Sequence, residues 1–321
     1  MPRISSGQVL KKGVFMGILS PIMSFIVDRE PNYPSPSEKV KLNKVIGRYR
    51  LLLKTIAWRY DIGEIKFGLA DLLVGRNEPG DYKEALDLYD EILKGVTSPY
   101  LRGRALAGKA ELMIPSEKKS DIEQAVALAR SASQIIKKEI NPNDFFYQKA
   151  QVVEAELMTK IGVPSNLKIA SKLYEGVIKS EKSNAYFKAR AMVGLSELKT
   201  YTAPVKELKK YAEYCHNAQT LLAERPSDYF MVKARVVEVE ILTRMDPKKN
   251  VNKIIALCNQ VIAAKSADSQ LVLRAMLDKA DVSKPHNALN IIKEVRASKE
   301  LPDYLAKKAK IVEQALKSRS K

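Results

Sequence analysis

The sequence predicts an all-α fold: a right-handed α-solenoid of antiparallel helix pairs, about six to seven units long. Three observations predict it. The phrase DFFYQKAQVVEAEL at Asp144–Leu157 returns as DYFMVKARVVEVEI at Asp228–Ile241, and in looser form at Pro99–Leu112, Ala185–Leu198, Ser269–Val282 and Asp303–Leu316. Its anchor alanines, Ala105, Ala150, Ala191, Ala234, Ala275 and Ala309, are spaced by 45, 41, 43, 41 and 34 residues, a period that marks stacked helical repeats. Between the copies runs a second, amphipathic pattern. A length of 321 residues would otherwise suggest about two globular domains, but a solenoid grows by stacking units and not by enlarging one core.

The elements follow in chain order. Residues 1–30 hold an N-terminal apolar segment: Arg3, Lys11 and Lys12 precede an uncharged run from Gly13 to Val27, and a polar exit follows. That pattern fits a membrane anchor or interfacial helix, a cleaved signal, or an apolar arm that docks on the repeats. The run would span about 22 Å as a helix, against about 30 Å of bilayer core, and Pro21 interrupts it. As an anchor it would leave the N-terminus cytoplasmic and the repeats on the outer side of a membrane, as in a bacterial envelope; the alternative is a cytoplasmic chain. Residues 31–37 form a proline-rich connector, because Pro31, Pro34 and Pro36 push their neighbours out of the helical region. A capping helix is expected over 38–60, with Ser37 as its N-cap. Helical repeats fill 61–316, and 317–321 is a short basic tail.

Within the repeats the second helix is clearest at Tyr82–Leu93 (YKEALDLYDEIL). It recurs at Ile122–Ser133, Leu167–Ile178, Leu208–Gln219, Val251–Ile262 and Pro285–Arg296. Ala85, Leu88 and Tyr89 and their equivalents are separated by three and four residues, which places them on one helix face. Gly80, Asp81, Tyr82, Ala85 and Tyr89 resemble the glycine turn and second helix of the tetratricopeptide repeat family. The departures are a longer period and a first helix without the family's Trp and Leu-Gly. The resemblance implies helix pairs whose first helices line a concave groove, and it is similar to the looser repeats of bacterial envelope and scaffold proteins. Cys215 and Cys258 fall in the slot of Tyr89 and Tyr174, which predicts buried, unreactive thiols.

Two charge ladders run through the phrase. The basic one is Arg104, Lys149, Arg190, Lys233, Arg274 and Lys308; the acidic one, seven residues on, is Glu111, Glu156, Glu197 and Glu240, with Asp281. The helix dipole prefers acids early and bases late, so helix stability does not account for them, and they are candidate partner-binding residues. The aromatic ladder Tyr100, Phe145, Tyr186, Tyr229 and Tyr304 reads as packing between repeats. There is no phosphate-cradling glycine loop, paired-histidine zinc motif or nucleophile elbow, and two cysteines with two histidines are too few for a zinc framework. The expectation is a non-enzymatic scaffold or accessory subunit without cofactor or metal, which presents a groove to a protein or peptide partner, with membrane contact through residues 13–27. The alternative is a polyanion-binding repeat protein, drawn from the net charge of +18.

Overall fold

The computed structural model describes residues 36–56, 62–95, 98–139, 144–226, 228–264, 268–298 and 301–319. Among them are fourteen α-helices and no strand. They are α1 (Pro36–Ile56), α2 (Gly63–Arg76), α3 (Asp81–Lys94), α4 (Pro99–Leu112), α5 (Lys119–Glu139), α6 (Phe145–Ile161), α7 (Pro164–Lys179), α8 (Ala185–Thr202), α9 (Leu208–Leu221), α10 (Tyr229–Met245), α11 (Pro247–Ile262), α12 (Ser269–Val282), α13 (Pro285–Arg296) and α14 (Asp303–Arg319). The apolar run at 13–27 lies outside the described residues, and no described helix is long and apolar enough to cross a membrane.

Each helix packs on its chain neighbours. In addition, every even-numbered helix from α2 to α14 touches the next even-numbered one, whereas odd-numbered helices do not touch each other. The even helices, which carry the phrase from α4 onward, therefore form the crowded inner layer and the odd helices the spread outer layer, as in a curved helical array. Composition follows position. The phrase helices are buried on most sides: α10 encloses ten residues, including Val236, Val237, Glu238 and Val239 in succession. The outer helices bury one stripe, as α11 does with Ile254, Leu257, Cys258 and Val261.

The phrase also carries its own start signal. The residue before five of the phrase helices accepts hydrogen bonds from the first turn: Ser98 from Leu101, Asp144 from Phe146 and Tyr147, Asn184 from Tyr186, Asp228 from Phe230, and Asp268 from Gln270 and Leu271. These side chains satisfy amides that the helix leaves orphaned. The outer helices α7, α11 and α13 open with Pro at the first turn, where its missing amide costs nothing; α11 is also capped by Asp246, which accepts from Lys249. Gly80, at φ 91°, makes the left-handed turn into α3 that side chains resist.

Two boundaries differ from expectation. Helix α1 begins at Pro36, so Ser37 lies within its first turn instead of capping it; a proline's fixed φ already suits that turn. At the other end α14 continues through Arg319, so most of the expected basic tail is helix.

The outer helix reaches between two phrase helices through one side chain. Tyr89 of α3 lies over Gly108 of α4, where an added Cβ would sit 2.5 Å from the ring, and its hydroxyl donates to Asp71 of α2. Tyr174 of α7 covers Gly194 of α8 in the same way, and Tyr49 of α1 covers Gly68 of α2. In the α11–α12 pair the tyrosine becomes Cys258, and the glycine position is taken by Asp278; both are buried.

Candidate functional site

The inner layer lines a groove of about 820 Å³ that runs from Val74 at the end of α2 to Gln270 at the start of α12. Its walls include Glu111, Glu156, Arg190, Glu197 and Lys233, with Tyr82, Tyr186 and Tyr229 along it. Five of the ten candidate ladder residues are thus in the groove lining; Arg104, Lys149, Arg274, Lys308 and Glu240 are not.

The structure also pairs the ladder residues with each other. Lys149 bonds Glu111 on the preceding phrase helix at 2.7 Å. Arg190 holds both oxygens of Glu156 on α6 and reaches past it to Glu111 on α4. The arrangement then repeats. Lys233 bonds Glu197 at 2.7 Å, and Arg274 holds Glu240 at 2.8 Å while reaching Glu197 at 3.2 Å. Each lysine serves the helix before it, and each of these two arginines serves the two helices before it. The planar guanidinium fork makes both contacts at hydrogen-bond distance; Lys308 is the lysine that also reaches two helices back, but only at 4.0 Å from Glu240.

The ends of the ladder deviate. Arg104 bonds Glu64 at 2.8 Å and packs its guanidinium over Phe67 at 4.0 Å and Phe146 at 4.7 Å. Lys308 meets Asp278 at 2.7 Å, one turn before the expected Asp281. Tyr201 adds a hydroxyl to Glu240.

These groups are largely removed from water: in the central rungs side-chain exposure runs from 4% at Arg190 to 23% at Glu197. Burial alone would raise the Glu111 carboxyl, but Lys149 and Arg190 outweigh it and hold it at about 2. Lys233 and Arg274 do the same for Glu197, also at about 2. Burial would lower the Lys233 ammonium, yet Glu197 and the other acids around it push it up. Asp278 goes the other way: burial dominates over Lys308, and its carboxyl rises to about 6. The ladders thus join neighbouring helices, a role that the sequence alone did not assign them. They fail as helix-dipole partners within a helix because their counter-ions lie on the neighbouring helices.

Three rungs of the aromatic ladder, Tyr100, Phe145 and Tyr186, pack between repeats as expected. T-shaped contacts link Phe67 to Phe146, Phe145 to Phe187, and Tyr186 to Phe230, across α2, α6, α8 and α10. Tyr229 and Tyr304 keep 38% and 53% of their surface; Tyr229 lines the groove and Tyr304 does not. Both thiols are buried; burial pushes Cys258 up to about 12 and Cys215 higher still, which removes the thiolate that redox or metal chemistry needs. Among the described residues no group of three or more His, Cys, Asp or Glu could hold a metal ion.

Sequence reasoning missed a copy of the phrase. Residues Tyr60–Leu72 carry Gly63, Glu64, Gly68, Ala70 and Asp71 at a constant offset of forty from Gly103, Arg104, Gly108, Ala110 and Glu111. The anchor alanine there is Ile65 and the basic rung is an acid, Glu64, so the marker residues are absent although the spacing is kept. A comparison of glycine positions finds it. The missed rungs are Glu64 and Asp71.

No family model, curated protein or solved structure matches this chain. The tetratricopeptide resemblance rests on Gly80, Asp81, Tyr82, Ala85 and Tyr89 alone.

Proposed function

We propose that this chain is a non-enzymatic interaction scaffold of the tetratricopeptide-like kind, whose inner groove receives an extended segment of a protein partner. The observation that carries this reading is the groove itself: about 820 Å³, lined by side chains from α2 to α12, with tyrosines standing over a floor of matched charges. A compensated floor favours a partner of mixed polarity over a polyanion, because each central base already holds a carboxylate. Affinity in such a groove comes from a few apolar and aromatic anchors, for which Tyr229 and Tyr82 are the exposed candidates.

Selection of displayed peptides on the full chain tests this. Enriched sequences should bind the wild type and lose most of their affinity to Tyr229→Ala, with the helical content of the variant unchanged. Failure to enrich any peptide, or enrichment indifferent to groove substitutions, overturns the reading. Proteins recovered in pull-downs with and without residues 1–30 then separate groove recognition from any tether. In that scheme the run at 13–27 holds the scaffold at a membrane.

A further inference from the structure

The first helix has a face that the solenoid does not use. Helix α1 turns Leu42, Ile46 and Tyr49 inward, each no more than 3% exposed. Its outer side carries Lys41, Lys44, Arg48 and Lys54, all exposed and none in an ion pair with a described residue. Arg50 alone is engaged, with Glu84 of α3 at 2.6 Å. No acidic residue occurs from Val40 to Ile56. Among these bases Val40 and Leu51 are 66% and 61% exposed, and the space around Gly47 is open. Val40, Lys44, Gly47, Leu51 and Lys54 recur at steps of three and four, so they form one stripe.

Exposed apolar side chains within a basic, acid-free border are the composition of a helix that lies in a lipid headgroup layer. Further upstream lies the uncharged run Gly13–Val27 behind Arg3, Lys11 and Lys12, separated from α1 by Asp28, Arg29 and Glu30. On α7 and α9, Lys168, Lys172, Lys209 and Lys210 are interspersed with Glu175 and Glu213, whereas the one acid of α1, Glu38, precedes the basic stretch that starts at Val40.

We propose that this face of α1 rests on an anionic bilayer surface, with Lys41, Lys44, Arg48 and Lys54 against lipid phosphates and Val40 and Leu51 at the acyl boundary. The site is distinct from the groove, and a scaffold that failed to bind peptides would leave it intact.

The test is co-sedimentation of the full chain with phosphatidylcholine vesicles, with and without phosphatidylglycerol. The quadruple reversal K41E/K44E/R48E/K54E weakens partitioning to anionic vesicles by at least about tenfold and leaves neutral vesicles unaffected. The equal charge change K168E/K172E/K209E/K210E retains most of the anionic binding; an equal loss there means that bulk charge, not α1, carries the effect, and overturns the proposal. A second readout does not depend on charge reversal. Leu51→Cys, labelled with an environment-sensitive dye while Cys215 and Cys258 stay buried, shifts to shorter wavelength with anionic vesicles only; no shift overturns it. Deletion of residues 13–27 lowers binding to both vesicle types if that run anchors the chain, but the preference for anionic lipid must survive, and its disappearance counts against the face. Tighter binding of single-stranded RNA through the same four residues assigns the face to nucleic acid and also overturns it.

Discussion

Tyr174 and Gly194 show how one residue choice constrains another across a helix pair. The ring occupies the volume that a methyl group at Gly194 would need, 2.5 Å from the ideal Cβ. Gly194→Ala therefore overpacks a rigid contact and should cost about 1–3 kcal/mol. Tyr174→Cys alone leaves a cavity, at a cost of the same sign. Together they approach the combination already present at Cys258 and Asp278, a small outer residue facing a larger inner one. The double variant should be more stable than the sum of the two losses, by a coupling measurable in urea unfolding. Strict additivity would show that the ring and the glycine are not matched. The ladder allows a sharper residue-level test. Glu111→Gln strips Lys149 of its only carboxylate contact and Arg190 of one of two. An unmatched buried charge costs about 3–5 kcal/mol, so this variant should lose several kcal/mol, while Glu123→Gln, on the exposed face of α5, should stay within about 0.5 kcal/mol.

At the scale of elements, the pairing of phrase helix with outer helix was legible because the two hydrophobic patterns differ. The phrase has apolar or small residues on nearly every side, and the outer helix has a single stripe. The slot shared by Tyr89, Tyr174, Cys215 and Cys258 was legible for the same reason, and all four are buried. The role of the ladders was not. A seven-residue offset within one helix says nothing about partners 34 to 79 positions away, because that distance depends on how closely the inner helices approach. Helix α2 was not legible either: it keeps the glycines of the phrase and replaces the marker alanine and base. It ends the ladder with an acid, Glu64, so that Arg104, the first arginine, is still paired although no full unit precedes it.

At the scale of the molecule, two kinds of carboxyl set the response to pH. Glu111 and Glu197 are held at about 2, below their ordinary 4.5. Their contribution is complete above 4.5 and is lost as pH falls toward 2, about 3 kcal/mol each by linkage. Asp278 is raised from 3.8 to about 6. Its cost is present above pH 6 and is relieved as pH falls through that value. Unfolding free energy measured from pH 8 down to pH 2 should thus rise slightly on passing pH 6 and fall steeply below 4.5. Asp278→Asn should reduce the first change, the remainder belonging to Asp71, Glu154 and Asp228, whose carboxyls burial also raises, and Glu111→Gln should shrink the second. A profile unchanged in either variant would show that the corresponding group does not titrate as described.

The alternation of arginine and lysine along the ladder gives the array a parity. Arg190 and Arg274 each span three inner helices, and Lys149 and Lys233 each span two, so from α4 to α12 the translational unit is four helices and not two; at the end of the ladder Lys308 breaks the alternation by touching both Asp278 and Glu240. Lengthening by one helix pair would put two arginines, or two lysines, on consecutive rungs, and one acid would lose its second donor while another gained a surplus. Lengthening by two pairs keeps every rung in phase. A chain with α7–α10 duplicated should unfold in one transition at a denaturant concentration no lower than the parent. A chain with only α7–α8 duplicated should show a weak seam, visible as fast hydrogen exchange at the insertion. Growth of such a protein by gene duplication is then expected in steps of four helices, a rule written in the choice between two cations.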